Sequence, residues 1–236
     1  VDWWTGTGAG AGNDNRWIDH AFERLAGGVD GVRRVKAVPG RKGSIMAESL
    51  VASPRLIQAI KTAAWAHRDH VRKGTDIPYA SHVFGVMHLV SQVTDDEDVL
   101  IAALFHDILE DVPEEYSPER MAEEFGDRVV ELVRGVTKDS TLTSWQDRSD
   151  AYLAHLRQAE DGSVLISAAD KLHNLLSIHA DLDAIGDALW SRFNSGKESQ
   201  LWWYRSVADL VQERLPGNAL GEELERQVAR LEARGA

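Results

Sequence analysis

The densest group of reactive side chains is the run His106-Asp107-Ile108-Leu109-Glu110-Asp111, which directly follows the apolar stretch Val99–Phe105. Read as a continuing helix, His106 and Glu110 stand i,i+4, and Asp107 stands i,i+3 from Glu110 and i,i+4 from Asp111. Four ionisable groups at the end of a buried helix are costly unless they are paired or hold a cation. An acidic pair alone would read as a solvated helix tip. A histidine placed immediately after Ala-Leu-Phe turns the reading towards a metal.

Two further segments supply partners. Tyr79-Ala80-Ser81-His82 sets a histidine at the start of another helix, and Ala168–Asn174 sets Asp170 and Asn174 i,i+4 inside an apolar helix. Each alone reads blandly, as a capping histidine and a solvent-facing aspartate. Together His82, His106, Asp107 and Asp170 offer two imidazoles and two carboxylates with no sulfur. That donor set suits an octahedral ion of the Mn²⁺ or Fe²⁺ type better than a tetrahedral structural zinc. Such an ion polarises a phosphoryl oxygen and acidifies water, and Glu110 and Asp111 lie within reach as water-positioning and acid/base groups.

A phosphorylated substrate needs cations, and the chain has few to spare. Its 38 acidic residues against 26 Lys and Arg give a net charge of −12, which argues against a nucleic-acid or anionic-membrane surface. The stretch His67–Lys73, with Arg68, Arg72 and Lys73 against Asp69, is the local source. Cysteine is absent, so thiol nucleophiles, disulfides and iron–sulfur clusters are excluded. The longest apolar run is far short of a bilayer span of about 20 residues, and no cationic start precedes an apolar core. A cytoplasmic setting is expected.

The elements that must position these residues are helices. Ser53-Pro54 is a cap followed by proline, and Ile57, Ile60, Ala64 and Trp65 share a face. After a loop at Gly74–Pro78, a second helix is expected from about His82 and a third from Asp96–Asp98 through His106-Asp107 to a stop at Pro113. Ser117-Pro118 starts a short helix that Gly126 ends. Further helices are expected over 128–136, 144–159, 164–180, 184–193, 199–215 and 222–234. No period-2 strand is evident. Residues 1–46, with Gly6, Gly8, Gly10 and Gly12 and no apolar periodicity, read as a flexible extension, and 47–236 as one all-α domain.

The adjacent His106-Asp107, with His82 upstream and Asp170 downstream, resembles the metal signature of the HD phosphohydrolase superfamily. Within it, His-Asp-x-x-Glu-Asp, Phe125-Gly126, Gly135–Lys138 and Ala-Asp-Lys-Leu-His-Asn resemble the hydrolase domain of RelA/SpoT homologues, over about Ile57 to Ile178. That resemblance implies an all-helical fold, one Mn²⁺ per chain, and hydrolysis of the 3′-pyrophosphate of ppGpp and pppGpp. It implies His82, His106, Asp107 and Asp170 as ligands, and Glu110 and Asp111 as the catalytic pair. It also implies Arg72 and Lys73 as nucleotide contacts, Asn174 beside the ribose and Ser177 near the base. The sequence departs from the family at Ser81-His82-Val83, where Asn-His-Pro is usual, and at Leu176, where an arginine is common. The residues after Ile178 are too few for the family's synthetase and regulatory domains, which points to a hydrolase-only form.

Two other functions fit the same residues: a phosphohydrolase of NADPH or a nucleoside phosphate, and a non-catalytic nucleotide sensor. The intact ligand set and Glu110-Asp111 argue against the sensor. Of Trp202, Trp203 and Tyr204, at least one should be core, leaving another to stack on a base. His155, His173 and His179 show no partner pattern and read as structural or exposed. Oligomeric state is not readable.

Overall fold

A computed structural model describes residues 53–235, and the reading of 1–46 as an extension lies outside them. Among the described residues the regular elements are helices, with one isolated antiparallel bridge between Val71 and Pro78. In chain order they are α1 (Pro54–Ala66), α2 (Ala80–Val90), α3 (Glu97–Phe105), α4 (Ile108–Asp111), α5 (Pro118–Phe125), α6 (Asp127–Arg134), α7 (Trp145–Leu156), α8 (Asp161–Ile185), a 3₁₀ helix (Gly186–Arg192), α9 (Gly196–Arg214) and α10 (Ala219–Gly235). None is long and apolar enough to cross a membrane.

The caps expected at Ser53 and Ser117 form, and Ser144 adds a third. Ser53, Ser117 and Ser144 each accept a hydrogen bond from a backbone N–H in the first turn, at Leu56, Arg120 and Asp147, satisfying donors that a helix start leaves open. Gly126, at φ +91°, both ends α5 and opens α6, a conformation that favours glycine.

Helix α3 is apolar around nearly its whole circumference, and Val99 and Ile101–Phe105 are all buried. It therefore occupies the centre, packed by α1, α2, α6 and α8. Phe105 packs edge-on against Phe125 at a ring distance of 4.9 Å. Burying a side chain of that size stabilises the fold by about 1.5–3 kcal/mol and fixes the backbone from which His106 projects. Helix α8, 25 residues long, runs against α2, α9 and α10.

Three expected elements differ. The third helix does not continue through His106-Asp107: it stops at Phe105, turns, and resumes as the single turn α4. Helix α8 extends to Ile185 rather than ending at Ala180, because α10 packs along its second half. The stretch expected as a helix at 184–193 is a 3₁₀ segment, set off from α8 by Gly186 at φ +57°.

Candidate functional site

The turn between α3 and α4 sends adjacent side chains into one place. His106 Nδ1 donates to the carbonyl of Ala103 at 2.8 Å, which leaves Nε2 as the lone-pair nitrogen. That Nε2 is buried and has no hydrogen-bond partner, although Asp107 Oδ2 lies 2.9 Å away. His82, from the first turn of α2, brings its Nε2 to 3.2 Å from Asp170 Oδ1 and 3.7 Å from Asp107 Oδ2. Asp170 Oδ1 is 3.9 Å from His106 Nε2. The four expected ligands thus converge from α2, the α3–α4 turn and α8.

The donor set fits a divalent cation. Ligands about 2.0–2.2 Å from an ion lie about 3–4 Å from one another, which is the range found. Protons satisfy the group only in part. Burial holds His82 down to about 3. Burial also opposes charge on His106, but Asp107 and Asp170 outweigh it and raise that imidazole to about 9. Asp107 is held well below the usual carboxylate range, burial being overcome by the His106 charge. The carboxylates draw positive charge to this spot, and a metal supplies it directly.

A shell of hydrogen bonds orients the ligands. Tyr79 OH donates to Asp107 Oδ2. Asn174 Nδ2 donates to Asp170 Oδ1 at 2.7 Å, and Lys171 Nζ to Asp170 Oδ2. Arg72 in turn donates to Asn174 Oδ1 at 2.8 Å. His82 Nδ1 meets His173 Nδ1 at 3.0 Å. This corrects the reading of His173 as partnerless: three residues after Asp170 on α8, it faces His82. The reading of His155 and His179 stands, since each contacts a backbone carbonyl, of Arg134 and Gln227.

Glu110 and Asp111, the last two residues of α4, point to different partners. Glu110 Oε1 accepts from the backbone N–H of Lys138 at 2.8 Å, so the Gly135–Lys138 segment serves to hold that carboxylate. Asp111 turns towards His67, with Oδ2 at 3.9 Å from His67 Nδ1. Burial, with Asp107 and Glu110 adding to it, pushes Asp111 up to about 8.

These groups line one cleft together with Arg72, Lys138, Tyr152, Lys171 and Asn174. Beside it lies a cavity of about 330 Å³ with Arg72, Lys73, His173 and Ser177 in its wall. Arg72 and Asn174 thus face the metal group, and Lys73 and Ser177 the neighbouring cavity. Lys138 and Lys171 were missed as cleft cations; neither sits in a basic run, which was the signal sought. Arg68 points elsewhere, donating to Glu115 at 2.8 Å. Trp203 and Tyr204 are buried in the core, while the half-exposed Trp202 packs edge-on against Trp145.

Residues 59–191 match the family described as HD domain. The guanosine-3′,5′-bis(diphosphate) 3′-pyrophosphohydrolase MESH1 of Drosophila melanogaster is 32% identical over 160 residues, 66% of this chain and 84% of its own. The bifunctional (p)ppGpp synthase/hydrolase SpoT of Escherichia coli is 33% identical over 130 residues, 52% of this chain but 18% of its own length. Among solved structures, a metazoan ortholog of SpoT described as hydrolysing ppGpp superposes with a TM-score of 0.64 at 30% identity, covering 77% of this chain and 98% of that one. The fold, the converging histidines and aspartates, and these likenesses together make the chain an HD-domain phosphohydrolase that belongs to the hydrolase-type RelA/SpoT homologues.

Proposed function

We propose that the chain hydrolyses the 3′-pyrophosphate of ppGpp and pppGpp, giving GDP or GTP and pyrophosphate, with one Mn²⁺ held by His82, His106, Asp107 and Asp170. The observation that carries this reading is the convergence of those four side chains at a cleft whose wall continues into the Arg72–Lys73 cavity. Relatives named for this reaction support it. Two imidazoles and two carboxylates without sulfur favour Mn²⁺. When bound, the ion supplies a Lewis acid for the phosphoryl oxygen and acidifies water.

The chain's own residues do the rest. Arg72 and Lys73 offset the charge of the substrate phosphates, with Asn174 beside the ribose and Ser177 near the base. A water oxygen bonds to the phosphorus carried on the 3′ oxygen, and the bond between that phosphorus and the 3′ oxygen breaks. Glu110, held on one oxygen by Lys138 N–H, takes the water proton and passes it to the departing ribose oxygen, while Asp111 helps position the water. The ribose oxygen leaves protonated. In this reading the partner is a small nucleotide, with neither nucleic acid nor membrane, and the setting is cytoplasmic.

One incubation tests this. Mn²⁺-loaded protein and ppGpp should give GDP and pyrophosphate, with GDP not cleaved further. Release of single phosphates from GDP or NADPH, with ppGpp left intact, would replace this reading with a general phosphohydrolase.

A further inference from the structure

A second cluster of ligand atoms lies behind Tyr79. His67 caps the end of α1, and His70 follows in the next turn, its backbone N–H bonded to His67 O at 3.0 Å. Their Nδ1 atoms face each other at 3.3 Å. Asp111, from α4, brings Oδ2 to 3.9 Å from His67 Nδ1. One donor atom from each of the three lies within 4.8 Å of the others.

Two features point to a ligand. His67 is 1% exposed, and Asp111 Oδ2 is buried with no hydrogen-bond partner. A buried carboxylate oxygen without a donor is costly, and here it is aimed at the facing nitrogens. Two Nδ1 atoms at hydrogen-bond distance can share only one proton between neutral rings. His67 Nε2 has no partner, so shifting the proton there opens the Nδ1 lone pair at the cost of the Nδ1···Nδ1 bond and of a buried N–H without an acceptor, which the metal bonds must offset.

We infer that His67, His70 and Asp111 form a second divalent-metal site, of the zinc type, at the wall of the cleft. Two imidazoles and one carboxylate are the three-ligand arrangement in which zinc keeps an open position. Donors about 2.1 Å from a tetrahedral ion stand about 3.4 Å apart, close to the 3.3 and 3.9 Å separations here. A donor set with one carboxylate and two imidazoles disfavours Ca²⁺ and Mg²⁺, which take mainly oxygen ligands. Asp111 also lines the cleft. The site gives Asp111 a task other than proton transfer, and it stands whichever nucleotide is cleaved.

The test is metal stoichiometry on the full chain. Metal-free protein is titrated with Zn²⁺, desalted and assayed for bound zinc. Wild type should retain two ions per chain. His70→Gln and the isosteric Asp111→Asn should each retain one, with the melting curve of the metal-free protein unchanged for His70→Gln. His106→Ala, which dismantles the other group, should also retain one, and a Co²⁺-loaded sample of it should show visible bands of four-coordinate intensity that His70→Gln removes. Wild type binding a single ion, His70→Gln and Asp111→Asn both retaining two, or His106→Ala retaining none would each overturn the site.

Discussion

His173 Nδ1 lies 3.0 Å from His82 Nδ1, so an imidazole on α8 fixes the ring plane of an imidazole on α2. When His82 Nε2 ligates a metal, Nδ1 must carry the proton, and His173 is its acceptor. Burial, followed by the nearby Arg72 charge, lowers the His173 pKa, which keeps it neutral and able to accept. Partners of this kind are worth about 10–100-fold in metal affinity. His173→Ala should therefore weaken Mn²⁺ binding by that factor while all four ligands remain, as competition with a chromophoric chelator would read.

That contact depends on a glycine. A β-carbon on Gly85 would sit 2.4 Å from the His173 ring, too close for any atom. Gly85→Ala should push the ring off His82, lowering stability by about 1–3 kcal/mol. It should also weaken Mn²⁺ binding about as much as His173→Ala does. A melt and the same chelator assay check both.

The Glu110 carboxylate is tied to the Lys138 N–H. Glu110→Gln should keep the ion and lose about 10²–10⁴ in kcat, the usual worth of a positioned acid or base. Elemental analysis alongside single-turnover kinetics separates the two effects, and a wild-type rate would remove the assigned role.

Lys73 borders the neighbouring cavity rather than the metal group. Lys73→Ala should raise KM several-fold at low ionic strength, with the deficit shrinking as salt is added and metal content unchanged. Partly exposed charge contacts are screened in this way.

Acid sensitivity should arise partly at the start of α3. The hydrogen bonds from Arg128 hold the Asp96 carboxyl below its ordinary 3.8. Stability from a depressed carboxylate is present above its unfolded value and is lost as pH falls through its folded value. Asp96→Asn preserves the helix cap, so its melting temperature should trail wild type at pH 7 and converge with it towards pH 3.

The sequence made the helices legible where local chemistry decides them. Ser53 and Ser117 cap where expected, and the apolar stretch Val99–Phe105 becomes the central helix. The residues that converge, His82, His106, Asp107 and Asp170, were legible because metal chemistry restricts residue types. The break at His106-Asp107 was not, because helical spacing runs through it unperturbed and only convergence on His82 and Asp170 requires it. His173 and His67 were hidden for a related reason. His82 and Asp111, the groups they face across the fold, are distant from them in sequence. The end of α8 was misplaced because α10, not local propensity, sustains its last turns.

His106 and Asp107 are neighbours in the chain, whereas His82 and Asp170 arrive from helices far before and after them. An ion gripping all four would therefore be a cross-link as well as a reagent. The adjacent pair would form a short chelate that costs little chain entropy to close, and the two distant residues would draw the chain from His82 to Asp170 into a closed loop. Folding and loading would then be coupled: metal that binds only the native arrangement raises stability as its free concentration rises above its dissociation constant. The melting temperature of this protein should thus rise with added Mn²⁺, and chelation should loosen the joint between α2, the α3–α4 turn and α8 before the rest of the helical core.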